Sequence, residues 1–270
     1  MFEKVIQNVI LKAPLVHLIT NYVTVNDCAN VVLAAGGSPI MADAFSEVLD
    51  IVAICKSLVI NIGTLNERTI KSMLIAGKHA NELKHPVILD PVGAGASKLR
   101  NDCISKLLKE VKFSVIRGNI SEIRAVAFGS GQTKGVDANE IDLITDQNIN
   151  TTIDFAKNLS KKTGAIVAIS GAIDVVANSD KAYIIKNGHP VMTKISGCGC
   201  MLTALIGAYC GANYENLLEA TAASVLIFAL CGEQAHKSDI GTYSFRTSLV
   251  DNLSKIHEKS LNGGLEIEVR

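Results

Sequence analysis

The sequence predicts an α/β protein of three layers, with a mostly parallel central sheet between two layers of helices. Three observations predict it. Short apolar, β-branched runs alternate with longer helical patterns along most of the 270 residues, the rhythm of parallel strands joined by crossover helices. The runs are short and mostly apolar rather than alternating, as strands buried on both faces are. The chain is long enough, and at 48% hydrophobic residues apolar enough, to bury a core without disulfides or metals. No linker-like shift or repeat divides it, so residues 1–270 read as a single domain.

The elements follow in order. Strands are expected at Leu15–Thr20, Leu58–Ile62, Val87–Asp90, Phe113–Arg117 and Ile166–Ser170, each bounded by turn residues. Helical patterns lie between them at Asn66–Leu83, Asn101–Glu110 and Asn148–Lys162, with Thr64 and Glu67 offering a capping box to the first. Asp174–Ala177 and Lys181–Lys186, joined across Asn178-Ser179-Asp180, read as a hairpin at one sheet edge. Beyond residue 197 the chain reads as purely helical, at Cys200–Gly211, Glu215–Lys237 and Phe245–Glu258, with a frayed or peripheral tail from Asn262 to Arg270. Gly129–Gln147, rich in glycine, asparagine and aspartate, reads as a long loop.

Composition narrows the function. Lysine plus arginine (26) equals aspartate plus glutamate (26), so the formal net charge is zero. That leaves no broad basic footprint for nucleic acid or an anionic membrane. Seven scattered cysteines do not read as a secreted disulfide framework, and Met1–Lys12 lacks the pattern of a signal peptide. The longest apolar stretch, 13 residues between Glu219 and Glu233, falls short of the roughly 20 a spanning helix needs. A cytoplasmic protein with reduced thiols is expected.

Parallel sheets bind ligands at the carboxyl ends of their strands, and chemistry gathers there. Asp90-Pro91-Val92-Gly93-Ala94-Gly95 sets a carboxylate before a glycine-rich turn, which suits a magnesium–phosphate site and equally an ordinary turn. Arg117 can fork onto phosphate, and Glu122, in the first turn of the next helix, suits a water-bridged metal or a simple cap. Ser170-Gly171 can meet a phosphate or close a turn. Ser196-Gly197-Cys198-Gly199-Cys200 runs straight into an apolar helix, and its unpaired backbone N–H groups make a main-chain anion hole. A Cys-x-Cys metal site is the competing reading, but no ligand-spaced Cys/His pair completes it. Upstream, Asn21 can hydrogen-bond a small ligand and Met41 can offer a soft contact to a ring.

In their order and spacing, Ile19–Asn30, Ser38–Ala44, Ile60–Thr64, Asp90–Ser97 and Arg117–Glu122 resemble the hydroxyethylthiazole kinase family of the ribokinase-like superfamily, over most of the chain from Pro14 to Lys237. The resemblance implies a ribokinase-like fold and transfer of phosphate from ATP, with Mg2+, to the hydroxyl of 4-methyl-5-(2-hydroxyethyl)thiazole in thiamine salvage. By matching position, Asn21, Met41 and Gly197 would face the thiazole alcohol. Arg117, Ser170, Cys198 and Gly199 would meet ATP. Asp90 and Glu122 would serve magnesium, with Asn119 beside them. Cys200 stands where ribokinase-like enzymes usually carry a catalytic aspartate, and it is expected to be a modest proton acceptor while positioning and the anion hole dominate. The family also implies a homotrimer with active sites between subunits. Three departures stand out: Cys198 and Ser170 each replace a usual threonine, and the Gly129–Gln147 loop is longer than typical. A kinase of a pyrimidine or pyridoxal-type alcohol, or a non-catalytic nucleotide sensor, are the rival readings.

Overall fold

The computed structural model describes residues 2–129, 144–256 and 264–270. In chain order the elements are α1 (Glu3–Lys12), β1 (Leu15–Ile19), α2 (Val25–Ala34), β2 (Ser38–Ile40), α3 (Val48–Ile54), β3 (Ser57–Asn61), α4 (Glu67–Glu82), β4 (Val87–Asp90), α5 (Lys98–Glu110), β5 (Val115–Asn119), α6 (Ile120–Phe128), α7 (Ile149–Thr163), β6 (Ile166–Ser170), β7 (Asp174–Ala177), β8 (Ala182–Ile185), a 3-10 turn at Pro190–Lys194, α8 (Cys198–Ala212), α9 (Leu217–Ala235), α10 (Thr242–Leu253) and β9 (Ile267–Val269). The strands form one sheet in the order β2-β1-β3-β4-β5-β6-β7-β8-β9. From β2 to β6 every pairing is parallel, and from β6 to β9 every pairing is antiparallel.

Alternate residues of each strand feed two cores, one per face. Val16, Leu18, Val59, Ile88 and Val115 pack with α1, α2, α8, α9 and α10. Ile19, Leu58, Ile60, Leu89 and Ile116 pack with α3 to α7. This is the expected three-layer architecture. The parallel register brings the ends of β1, β3, β4, β5 and β6 to one edge of the sheet, and the first turn of α8 lies over that edge.

The structure moves several boundaries. The fifth strand starts two residues later than its apolar run and ends at Asn119, because Ser114 only begins the ladder through its N–H to Val87 O. The capping box at α4 is Asn66 with Thr69, not Thr64 with Glu67: the Asn66 side chain accepts the Thr69 N–H, and the Thr69 hydroxyl accepts the Asn66 N–H. Helix α8 starts at Cys198, two residues earlier than expected, so both cysteines sit in its first turn. The Asn178 turn forms as read, its side chain accepting the N–H groups of Asp180 and Lys181. The hairpin is not the sheet edge, however. Of the two readings of the tail, frayed or peripheral, the described residues fit the second: residues 267–269 pair with β8 as the edge strand of the sheet, with Asn187 accepting the Glu266 N–H to guide it. Most of the expected 129–147 loop, and residues 257 and 258 of the last expected helix, lie outside the described residues. By length and composition α9 could span a membrane, but most of it is buried within the fold.

Candidate active site

The site is built where β1, β3, β4, β5 and β6 meet the start of α8. Asp90, the last residue of β4, is fully buried. Its Oδ2 accepts hydrogen bonds from Asn61 Nδ2 and Thr203 Oγ1, both at 2.8 Å. Arg117 Nη1 lies 3.9 Å away. Its Oδ1 is buried without a partner. Burial pushes the Asp90 carboxyl up to about 6, with Arg117 opposing the shift and Glu122 adding to it.

Glu122 joins two loops. Its Oε2 accepts the Asn119 N–H at 2.9 Å while Asn119 Oδ1 accepts the Glu122 N–H, a capping box at the start of α6. Its Oε1 accepts the Gly93 N–H at 2.9 Å. Glu122 is therefore a capping residue and, being tied to the turn after Asp90, also a carboxylate at the strand ends.

Arg117 projects from β5, buried, and donates through Nη2 to Ser170 Oγ at the end of β6. Its Nε is buried without a partner. Beyond Ser170, Asp174 Oδ1 accepts the Gly171 N–H at 2.9 Å and closes the turn. Burial lifts the Asp174 carboxyl to about 7.

Gly197 is the N-cap of α8, and its φ of +80° is left-handed. A Cβ there would sit 2.2 Å from Thr24 Cγ2, so only glycine fits. Gly199 lies against Arg117, where a Cβ would come within 2.4 Å of Nη1. No side chain caps the helix, so its first N–H groups remain available to an anion. The Cys200 sulfur accepts N–H donation from Asn21 Nδ2 and Asn61 Nδ2, each at 3.3 Å. Burial and nearby Asp90 push the Cys200 thiol up, with hydrogen bonds from Asn61 and Asn21 opposing the shift. Burial drives Cys198 up to about 12, so both thiols are neutral near pH 7.

Met41 follows edge strand β2 and packs, half-buried, against the same core as Cys198 and Cys200. Two buried side chains pin its segment: His17 Nε2 to Ala42 O at 2.7 Å and Ser72 Oγ to Asp43 O at 2.6 Å.

The structure thus brings Asn21, Asp90, Arg117, Asn119, Glu122, Ser170, Gly197, Cys198, Gly199 and Cys200 to one edge, with Met41 on the flank. Sequence reading missed Asn61, Thr203 and Arg100. Arg100 donates to the carbonyls of Ile62, Gly63 and Val92, tying the turn after β3 to the turn after β4. Thr203 carried a readable signal, as a hydroxyl one turn after Cys200 on an otherwise apolar helix. No group of three or more His, Cys, Asp or Glu suited to a metal ion occurs among the described residues, so the Cys-x-Cys metal reading gains no support.

Residues 6–259 match the hydroxyethylthiazole kinase family. A relative from Clostridium acetobutylicum named hydroxyethylthiazole kinase is 56% identical over 272 residues, covering 99% of each chain. The solved structure of a hydroxyethylthiazole kinase protein from Pyrococcus horikoshii superposes with a TM-score of 0.89 at 31% identity, covering 100% of this chain and 98% of that one. A ribokinase-like superfamily protein from Enterococcus faecalis shares the fold, with a TM-score of 0.63 at 14% identity over 94% of this chain and 89% of that one.

Proposed function

The chain belongs to the hydroxyethylthiazole kinase family and is a kinase, and we propose that it transfers the γ-phosphoryl group of ATP to the hydroxyl of 4-methyl-5-(2-hydroxyethyl)thiazole, with Mg2+, at the edge where α8 meets the strand ends. The observation that carries this reading is the uncapped start of α8, flanked by Arg117 on one side and by the Asn21–Cys200 contact on the other. The alcohol and the phosphates then meet over Gly197–Cys200.

The residues divide the work. Asn21, Met41 and Gly197 line the alcohol side. Arg117 and Ser170 hold phosphate oxygens, with Cys198 and Gly199 lending backbone N–H groups. Arg117 is buried and the others are partly buried, and donors held away from bulk water act on developing charge more strongly than in water. The loose transition state of phosphoryl transfer does not require a strongly deprotonated nucleophile. A neutral, buried Cys200 thiol is compatible with that.

The residues fit a magnesium ion. Asp90 Oδ1 is a buried carboxylate oxygen without a partner, and each Glu122 oxygen accepts one N–H, leaving room for a further bond. Asp90 and Glu122 would hold the ion largely through water, as magnesium prefers. When bound, it would neutralise phosphate charge as the γ-phosphoryl group leaves ADP.

The proposal extends to assembly and location. Tyr22, Val23, Phe45, Leu49 and Ile54 are large apolar residues exposed in the segments before and after β2, which supports a homotrimer that completes each site with a neighbour. The seven cysteines are all free thiols, which supports a reducing, cytoplasmic setting.

A coupled ADP-release assay with a panel of heterocyclic alcohols, with and without Mg2+, tests the reading. Release should require both the thiazole alcohol and the metal. Release independent of every alcohol, or preference for a pyridoxal-type alcohol, would overturn it.

A further inference from the structure

Asn61, the last residue of β3, is bonded to both halves of the site. Its amide has one possible orientation. Oδ1 accepts the backbone N–H of Gly63 at 2.9 Å, and Nδ2 faces the Asp90 carboxylate at 2.8 Å, so a flip would set acceptor against acceptor. The second Nδ2 hydrogen goes to Cys200 Sγ. Asn21 is fixed in the same way. Its Oδ1 accepts both the N–H and the hydroxyl of Thr24 at 3.1 Å. Its Nδ2 is left to donate to Asn61 Oδ1 at 3.1 Å and to the same sulfur. The sulfur is therefore held by two amides whose own orientations are set by the backbone and by Asp90.

We propose that Asn61 is a positioning residue for phosphoryl transfer, holding the Cys200 sulfur on the alcohol side in fixed relation to the Asp90 carboxylate on the phosphate side. The proposal rests on the reading that the alcohol lies against Cys200. Asn61 is buried beneath the site, 2% exposed, and acts through its two neighbours. Its loss leaves the binding groups in place but loosens the alignment of the two reactants, so the effect falls on kcat.

The test is a double-mutant cycle of Asn61→Ala and Cys200→Ala, with Asn61→Asp as a second variant. Asn61→Asp keeps the acceptor for Gly63 and Asn21 but sets a second carboxyl against Asp90, whereas Asn61→Ala removes both donors without adding charge. The kcat of Asn61→Ala should fall about thirtyfold while KM for ATP and for the alcohol stay within about threefold, the size expected of a small misalignment. In the Cys200→Ala background the same change should cost about threefold or less, because Asn61 no longer has a sulfur to place. Losses that multiply, a folded Asn61→Asp or Asn61→Ala protein with wild-type kcat, or a loss confined to KM for the alcohol would each overturn the proposal. Thermal unfolding of the same four proteins without substrate should also be non-additive, and additive shifts would deny the hydrogen-bonded unit. If the wild-type chain phosphorylates no heterocyclic alcohol, the functional reading fails, while the unfolding cycle still decides whether Asn61 and Cys200 are linked.

Discussion

Asp90 shows how a single residue trades stability for chemistry. Its folded-state carboxyl is raised to about 6 from an ordinary 3.8, so the folded chain binds the proton more tightly than the unfolded one. That contribution to stability is fully present below pH 3.8 and is lost as pH rises through about 6. Above that pH the buried charge is held at a cost that Arg117, Asn61 and Thr203 only partly offset. Asp90→Asn should therefore raise the melting temperature at pH 8 by a few degrees, and the gain should vanish near pH 4, where the wild-type carboxyl is protonated. The same variant should lower turnover by at least about a hundredfold, since the carboxylate that would help hold magnesium is lost. A variant that melts lower at pH 8 than at pH 4, relative to wild type, would contradict the burial argument. Cys200 is the gentler case. Its thiol is pushed up by burial and is not the charged partner of the reaction, so Cys200→Ala should slow kcat by about ten- to a hundredfold without abolishing it, at or below the lower range for acid–base groups. Asp90 was legible in the sequence because it ends an apolar run before a glycine-rich turn. Asn61 ends an apolar run as well, but its role depends on Asn21, Asp90 and Cys200, neighbours that only the folded sheet brings to it.

At the scale of the element, the start of α8 outweighs any one side chain. Gly199 packs directly on Arg117, and an added methyl would meet the guanidinium at 2.4 Å. Arg117 is buried on a central strand and cannot swing away freely, so the methyl must break its bond to Ser170 or unseat the helix turn. Gly199→Ala should raise KM for ATP by about tenfold or more while leaving KM for the alcohol nearly unchanged, the pattern of a displaced binding group. Gly197→Ala combines a left-handed φ with a clash at Thr24, and it should damage turnover more than Cys200→Ala does. Steady-state kinetics with each substrate varied in turn would show both patterns, and a wild-type Gly199→Ala enzyme would refute the packing argument. This element was legible because two glycines before an apolar helix have few other uses. Elements at the margins were not. Strand β2 is three partly exposed residues around Pro39, which suits an edge strand and carries no apolar run. Helix α3 is seven residues long and buries only Val48 and Val52. Helix α2 opens on Asn26 and Asp27, polar residues that obscure the small apolar face of Cys28, Val31 and Val32.

At the scale of the whole molecule, the sheet separates two tasks. Its parallel half brings Asn61, Asp90, Arg117, Asn119 and Ser170 to one edge beneath the start of α8, and its antiparallel half closes the far side. The parallel half was legible because each buried strand announces itself by composition. The pairing of β9 with β8 was not, because it joins Ile267–Val269 to a strand more than eighty residues earlier through a short segment with no apolar periodicity. The margin of the parallel half is the edge strand β2, and the segments before and after it expose several large apolar residues. Val23 is 67% exposed, Leu49 47% and Ile54 58%. Large apolar residues exposed on α3 and after β1 are of the kind that interaction surfaces use. If this margin joins neighbours, a charge placed there should separate the subunits without touching a site residue. Leu49→Asp lies on the outside of α3, away from the bonds that pin the Met41 segment. Light scattering should give a trimer for the wild-type chain and a monomer for Leu49→Asp. Turnover should fall with the dissociation, and it should recover partly at high protein concentration, as mass action requires of a site completed by a neighbour. A wild-type chain that is monomeric and fully active, or a monomeric variant with unchanged turnover, would show that one chain holds the whole site.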